Sequence, residues 1–405
     1  MADTTNSQTR NEMIEFTLGA GSTTPAGRLV VGHCVNVYLS LTESFIYTYI
    51  THHQRAIPIV LARRIANRAF FPFSPVYAAL GEGDTGRRIW GDLSYKLRLD
   101  VLRRHPLEWV IRREQINILH AHFGYMGARL APIARKLDLP LVTTFYGFDA
   151  CASRYLRRFH RAYQRLFSQG SLFLVEGPYL RQQLINLGCP PAKVAVQRTA
   201  LELSRYRCRS AVDDGPTRTR ILLCGRFVEK KGMTYALQAL RIVVASHPEV
   251  LLVVVGGGPL EARLCHQVNQ LGLQRQVRMR GLLSYAAYLE ELHQDDFLIC
   301  PSVTTADGDS EGGAPTVLLK AQACGLPVVA TRHADIPYVV QDGQSAFLVP
   351  ERDVPALADR MTWLLEHPRR RVAMGLAGRR HVAARHDIHR EMVRLEAKYE
   401  RLVTT

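Results

Sequence analysis

Two doubly wound α/β domains facing each other across a cleft are the fold class that this 405-residue sequence predicts. Three observations carry that prediction. The length suits two cores of ordinary size better than one. From Leu29 onward, short apolar runs alternate with amphipathic stretches, which is the rhythm of βαβ units and a parallel sheet. A polar, basic segment over residues 206–219 breaks the rhythm once and reads as a linker, after which a second series begins.

Residues 1–28 hold no apolar core flanked by basic residues, so they read as a disordered leader and not as a secretory signal. The first domain is expected over 29–205, with strands in LVVGHCVNV, IPIVLA, INILHAHF, PLVTTFYG, SLFLVEG and KVAVQ. Helical periodicity fills the gaps, as in ESFIYTYITHHQ, GARLAPIARKL, RYLRRFHRAYQRLF and YLRQQLINLG. The second domain is expected over 220–385, with strands in RILLCGRF, VLLVVVGGG, VRMRG, DFLICPS, PVVATR and SAFLVP. Residues 386–405 are helical in pattern and are set apart as a C-terminal helix. In open parallel sheets ligands bind beyond the carboxyl ends of the strands, so chemistry is to be sought in the loops that follow them.

Composition narrows the function classes. The chain is 47% hydrophobic, yet no run approaches the roughly 20 apolar residues that a spanning helix needs. The eight cysteines, Cys34, Cys151, Cys189, Cys208, Cys224, Cys265, Cys300 and Cys324, show no C-x-x-C spacing. Reduced thiols in a cytoplasmic protein are therefore expected, with neither a zinc site nor a disulfide framework. Charge is lopsided, because residues 1–210 hold 28 Lys and Arg against 14 Asp and Glu, and residues 211–405 hold 24 against 22. The basic clusters are Arg63/Arg64/Arg68, Arg87/Arg88, Lys96/Arg98/Arg103/Arg104, Arg112/Arg113 and Arg154/Arg157/Arg158/Arg161/Arg165. An anionic membrane leaflet is the expected partner. No aromatic residues interleave with these clusters on an exposed strand or recognition helix, which argues against nucleic acid.

Two segments carry the chemistry. In EGGAPTVLLKAQACG, Pro315 suits the start of a helix and Gly325 its end. The N–H groups of Gly313, Thr316 and Val317 at such a helix start would meet a diphosphate together with the positive end of the helix dipole. Glu311 precedes them, next to Gly312 and Gly313, where a carboxylate can accept bonds from sugar hydroxyls and glycines let a ligand approach the backbone. In ILLCGRFVEKKGM, a buried strand ends at Gly225, followed by Arg226 and, five residues on, Lys231. Two cations at a strand end supply charge for phosphate oxygens. With the Pro315 helix they form a clamp that needs neither metal nor cofactor.

Taken together, GRFVEKKG and EGGAPTVLL resemble the retaining glycosyltransferases of family 4, with the two-domain GT-B fold, and are similar to bacterial exopolysaccharide enzymes of the colanic-acid type. The resemblance implies that Arg226 and Lys231 hold the donor diphosphate and that Glu311 contacts the transferred sugar. HAHFG and TTFYGFDA resemble the segments of the opposite cleft wall, which gives His122, Tyr146, Gly147 and Asp149. Three positions depart from the family pattern. Lys320 stands for a second glutamate that binds the nucleotide ribose, Tyr146 for a histidine, and Tyr338 for a glutamate. The resemblance implies a nucleotide diphosphate sugar donor, a lipid-linked or saccharide acceptor, and a peripheral place at the inner face of the plasma membrane. The departures leave open a rival reading, a catalytically weak relative acting as a binding or partner subunit.

Weaker motifs are read structurally. LLVVVGGGP fails the G-x-G-x-x-G register at Glu261, and Asp307 and Asp309 in DGD read as a solvated loop and not as a metal site. His120 reads as a hydrogen-bonded structural residue and His122 as facing the cleft.

Overall fold

The computed structural model describes residues 27–40, 43–80, 104–209 and 218–404. The expected leader up to residue 26, most of the expected linker, and Arg87, Arg88, Lys96, Arg98 and Arg103 lie outside them.

The first domain is built on a seven-stranded sheet with all neighbours parallel: β1 (Val30–Tyr38), β2 (Ile57–Ile65), β3 (Val76–Leu80), β4 (Ile118–His122), β5 (Leu141–Thr144), β6 (Leu172–Val175) and β7 (Val194–Val196). The order across the sheet is β3-β2-β1-β4-β5-β6-β7. Its helices are α1 (Ser44–Thr51), α2 (Arg104–Arg113), α3 (Gly124–Lys136), α4 (Phe148–Cys151), α5 (Ser153–Gln169) and α6 (Pro178–Asn186). Strand β3 and helix α2 have no counterpart in the sequence reading. Prolines at 72 and 75 hide the strand, and the helix is only 10 residues long, with a proline at 106 near its start.

The second domain carries six parallel strands, β8 (Arg220–Cys224), β9 (Leu251–Val255), β10 (Val277–Gly281), β11 (Phe297–Cys300), β12 (Val328–Thr331) and β13 (Ala346–Val349), in the order β10-β9-β8-β11-β12-β13. Strand β9 is a continuous apolar run, LLVVV, because helices cover both faces of a parallel sheet. The helices are α7 (Met233–Val243), α8 (Glu261–Gln270), α9 (Tyr285–Gln294), α10 (Thr316–Ala323), α11 (Ile336–Val339), α12 (Val354–Glu366), α13 (Pro368–Arg385) and α14 (Ile388–Val403). Strand order reverses between β1 and β4 in one sheet and between β8 and β11 in the other. Crevices open at such reversals, so the loops after β4, β8 and β11 are positioned for a ligand.

Helix α14 closes a face of the first sheet. Ile388, Met392, Leu395 and Tyr399 are fully buried among Val31, Ile118, Val142 and Leu174. At about 1.5–3 kcal/mol for each large apolar side chain taken from water, this contact is a major part of that core. A bridge between Leu201 and Asp387 marks the return of the chain to the first domain. Among the described residues, no helix is long and apolar enough to cross a membrane.

Candidate active site

Strand β8 delivers Gly225 and Arg226 to the cleft, where Arg226 is exposed. A 3-10 turn over Glu229–Lys231 and left-handed Gly232 then reverse the chain into α7. A side chain at Gly232 would strike the Pro301 carbonyl oxygen, with a Cβ only 1.8 Å from it, so glycine is required there. The turn splits two adjacent lysines. Lys231 Nζ lies 2.8 Å from one Glu311 carboxylate oxygen and 2.9 Å from the other. Lys230 is buried, donating to Asp309 Oδ1 at 3.0 Å and to the Ser310 carbonyl at 2.8 Å.

Glu311 is held from several sides. Ser302 Oγ donates to its Oε1 at 2.8 Å, and its own N–H donates to His333 Nε2 at 3.0 Å. His333 Nδ1 donates in turn to Glu351 Oε1 at 2.6 Å, which fixes the neutral tautomer that can accept from Glu311. Burial raises the Glu311 carboxyl, but Lys231, Lys230 and Ser302 together outweigh it and leave the group below its usual range. The carboxylate is therefore ionised, positioned and half-shared with a cation, as suits a group that accepts from hydroxyls.

Gly312 and Gly313 follow Glu311, and α10 starts at Thr316 and Val317, with Pro315 in the position just before the helix. This loop meets the first domain directly. A Cβ on Gly147 would come within 2.0 Å of the Glu311 carbonyl oxygen, and one on Gly312 within 2.4 Å of Gly147 Cα. Both glycines have positive φ, at +105° and +72°. The two cleft walls thus touch backbone to backbone where the sequence reading placed the sugar.

On the opposite wall, Asp149 is fully buried and spends its oxygens on backbone N–H groups, those of Gly124 at 2.7 Å and Tyr146 at 3.0 Å. It ties the turn after β4 to the turn after β5. His122 and Tyr146 meet each other, with the Tyr146 hydroxyl 2.7 Å from His122 Nδ1. His122 is fully buried, beneath the wall and not on its surface, which corrects the expectation that it faces the cleft. It shares a sheet face with His120, two residues before it on β4, and its ring is stacked with that of Tyr146 at a centroid separation of 6.1 Å. His120 is hydrogen-bonded to Tyr399 and Thr144.

Lys320 lies on α10 with its ammonium 5.2 Å from the Tyr288 ring and 5.5 Å from the Tyr285 ring. Burial lowers its pKa. Asp307 and Asp309 are tied into their loop by Thr305 and Lys230 and do not converge as ligands. Tyr338 accepts from Arg198 at 2.8 Å.

Sequence reasoning missed several groups that act across the domain boundary. Glu176, after β6, crowds Gly313 so closely that a Cβ there would lie 2.0 Å from its Oε2. Burial is the main cause that pushes its carboxyl up to about 8. Asp335, beside α11, accepts from the Tyr179 and Leu180 N–H groups at 2.8 and 3.3 Å and so caps α6 of the other domain. Ser302, His333 and Glu351 were also unanticipated. Each of these three lies two residues past the end of a strand, β11, β12 and β13 in turn, and that position was their one signal, since residues just past a strand end line the crevice.

Comparison with known proteins agrees with this geometry. Residues 58–205 match Glycosyltransferase Family 4, and residues 210–381 match Glycosyl transferases group 1. The chain is 34% identical over 291 residues to the amylovoran biosynthesis glycosyltransferase AmsK of Erwinia amylovora, covering 71% of this chain and 70% of that one. It is 35% identical over 248 residues to a protein of Salmonella typhimurium named as a colanic acid biosynthesis glycosyltransferase, WcaL, and spans 60% of that relative's length. In shape it is similar to Anabaena Alr3699/HepE solved with UDP and glucose, with a TM-score of 0.74 at 14% identity over 92% of this chain and 99% of that one. A glycosyltransferase from Rickettsia africae superimposes with a TM-score of 0.73 at 13% identity, over 93% of this chain and 99% of that one. With both halves matched in the order of the two sheets, the chain belongs to the family 4 glycosyltransferases and has their two-domain GT-B fold.

Proposed function

We propose that the protein transfers a hexose from a nucleotide diphosphate sugar to a lipid-linked or saccharide acceptor in exopolysaccharide or cell-surface glycan synthesis, with retention of configuration and without a metal or cofactor. One observation carries the reading: Lys231 and Glu311 form a partly buried pair at the entrance to α10, directly against Gly147 of the facing domain. The diphosphate takes Arg226, Lys231 and the N–H groups of Thr316 and Val317, while Glu311 accepts from the sugar hydroxyls. Leaving-group charge then develops against cations and a helix start already in place, the arrangement in which electrostatic stabilisation is most effective. Relatives named for amylovoran and colanic acid biosynthesis support the polymer class, and the Anabaena complex with UDP supports a nucleotide diphosphate donor. The basic first domain supports a place at the anionic inner leaflet of the plasma membrane, on its cytoplasmic side. The reading as a non-transferring subunit is not favoured, because the Lys231–Glu311 pair persists.

A thermal-shift screen with UDP, GDP and ADP should identify the nucleotide, since a ligand of the native state raises its apparent stability. Arg226→Ala and Lys231→Ala should each then weaken binding of that nucleotide by roughly tenfold or more, the loss of a charge-assisted bond worth about 1.5–3 kcal/mol. Unchanged affinity in both variants rules the clamp out.

A further inference from the structure

Four histidines buried beneath the first domain's cleft wall have no part in the donor site. His33 on β1 lies in register with His120 on β4, His122 follows two residues on, and His53 comes just after α1. All are almost fully buried. Their spacing is close enough for His33, His120 and His122 to share a metal ion. Two of the three ring pairs stack, however, His33 and His122 inclined by 19° and His120 and His122 by 27°, and the ring nitrogens of all three are engaged in hydrogen bonds. Burial, reinforced by neighbouring histidines, lowers the basicity of all three well below the usual value, so they are neutral.

Three of the four form a file that starts at Tyr146. The tyrosine hydroxyl is 2.7 Å from His122 Nδ1, His122 Nε2 is 3.0 Å from His33 Nδ1, and His33 Nε2 is 2.8 Å from His53 Nε2. At the far end, His53 Nδ1 is 3.0 Å from Glu396 Oε1 on α14. Glu396 also accepts from the N–H groups of Gln54, Arg55 and Ala56 at 2.9, 3.1 and 3.1 Å. Although burial works the other way, these bonds hold its carboxyl down at about 2.

Proton positions follow from that end. An ionised carboxylate only accepts, so His53 donates from Nδ1. With Nδ1 donating to Glu396, a singly protonated His53 presents Nε2 to His33 as an acceptor. A neutral imidazole has one donor and one acceptor. His33 therefore donates from Nε2 and accepts at Nδ1, His122 does the same, and the Tyr146 hydroxyl is left as the last donor.

We propose that Glu396, acting through His53, His33 and His122, fixes the direction of the Tyr146 hydroxyl proton and thereby makes these four residues positioning residues for the cleft wall. Tyr146 is pinned at its hydroxyl by His122 and at its N–H by Asp149, and the next residue, Gly147, is the one that touches Glu311. The phenolic oxygen keeps only acceptor capacity, beside a cavity of about 10 Å³ whose lining includes Thr144, Glu176 and Thr199. That volume has room for about one water molecule. The bearing on transfer rests on the function proposed above, whereas the hydrogen-bond file does not.

Long-range 1H–15N spectra of the full chain labelled with 15N-histidine report each tautomer without any sugar donor, so a failure here is separate from a failure to find transfer. The expected result is Nε2–H at His33 and His122 and Nδ1–H at His53. In Tyr146→Phe, the Nδ1 resonance of His122 should move to the position of an imine nitrogen with no donor, with the other tautomers kept. In Glu396→Gln, the His122 resonances should shift although the two groups do not touch, which a purely structural glutamate would not cause. An Nδ1–H tautomer at His122, unmoved His122 resonances in both variants, or one equivalent of zinc retained against a chelator overturns the proposal. Should Glu396→Gln fail to fold, the parent tautomers and Tyr146→Phe still decide it.

Discussion

Lys320 is the residue whose chemistry departs furthest from the pattern that the rest of α10 resembles. Its ammonium rests over two tyrosine rings, and no carboxylate pairs with it among the described residues. Cation–π contact contributes about 0.5–2 kcal/mol, which offsets part of the cost of burying the charge. A donor at this position suits ribose oxygens acting as acceptors. Lys320→Met keeps the length and removes the charge, so nucleotide affinity, measured by calorimetry, should fall about tenfold, the loss of one bond to a charged group. The melting temperature should hold or rise. Parent-like affinity in this variant makes Lys320 a structural cation only. At this scale the sequence was informative where function depends on neighbours along the chain. Arg226, Lys231 and Glu311 lie on loops bracketed by glycines and strand ends. It was silent on Glu176, Asp335 and the histidine file, because each is defined by a partner more than a dozen residues away.

Between elements, the turns at and behind the domain boundary are held by carboxyl groups that burial makes reluctant to ionise. Asp149 and Asp335 are pushed up to about 6 and Glu176 to about 8, from ordinary values of 3.8 and 4.5. Each folded-state pKa is raised, so between the unfolded and folded values the native protein holds protons that the unfolded chain has released. The stability that these three groups contribute is then fully present at low pH and declines as pH rises through about 6 and on to about 8. The buried neutral histidines act with the opposite sign up to their ordinary value of 6.5, so denaturant midpoints should fall only above about pH 7, and Glu176→Gln should flatten the curve there. A flat profile in the parent contradicts these shifts. Glu311 and Glu351 have depressed values and act only below the ordinary carboxylate range, outside this window. Strands were the more legible elements, since continuous apolar runs such as β9 leave no alternative. The Asp335 cap on α6 was not, because the capping side chain comes from the other domain and not from the residue before Pro178.

For the molecule as a whole, charge and connectivity are the informative properties. Helix α5 buries Tyr163, Leu166 and Phe167 against the first sheet and exposes Arg157, Arg158, Arg161 and Arg165. The full chain should therefore sediment with vesicles containing anionic lipid at low salt and be released at high salt, since screening extends over roughly 8–10 Å at physiological ionic strength. The Arg157→Glu, Arg161→Glu double variant should bind several-fold less, and vesicle binding unaffected by salt or by these changes removes the support for an inner-leaflet site. Two doubly wound domains were legible in the rhythm of apolar runs. The destination of α14 was not, because an amphipathic pattern reveals that a face is buried but not against which sheet. That destination has a consequence for biosynthesis. The first domain is translated early, yet Ile388, Met392, Leu395 and Tyr399, which close its core, emerge from the ribosome only after the whole second domain. Until they do, an apolar sheet face stays open while the second domain is being made, so the later domain is free to reach its native state before the earlier one is complete.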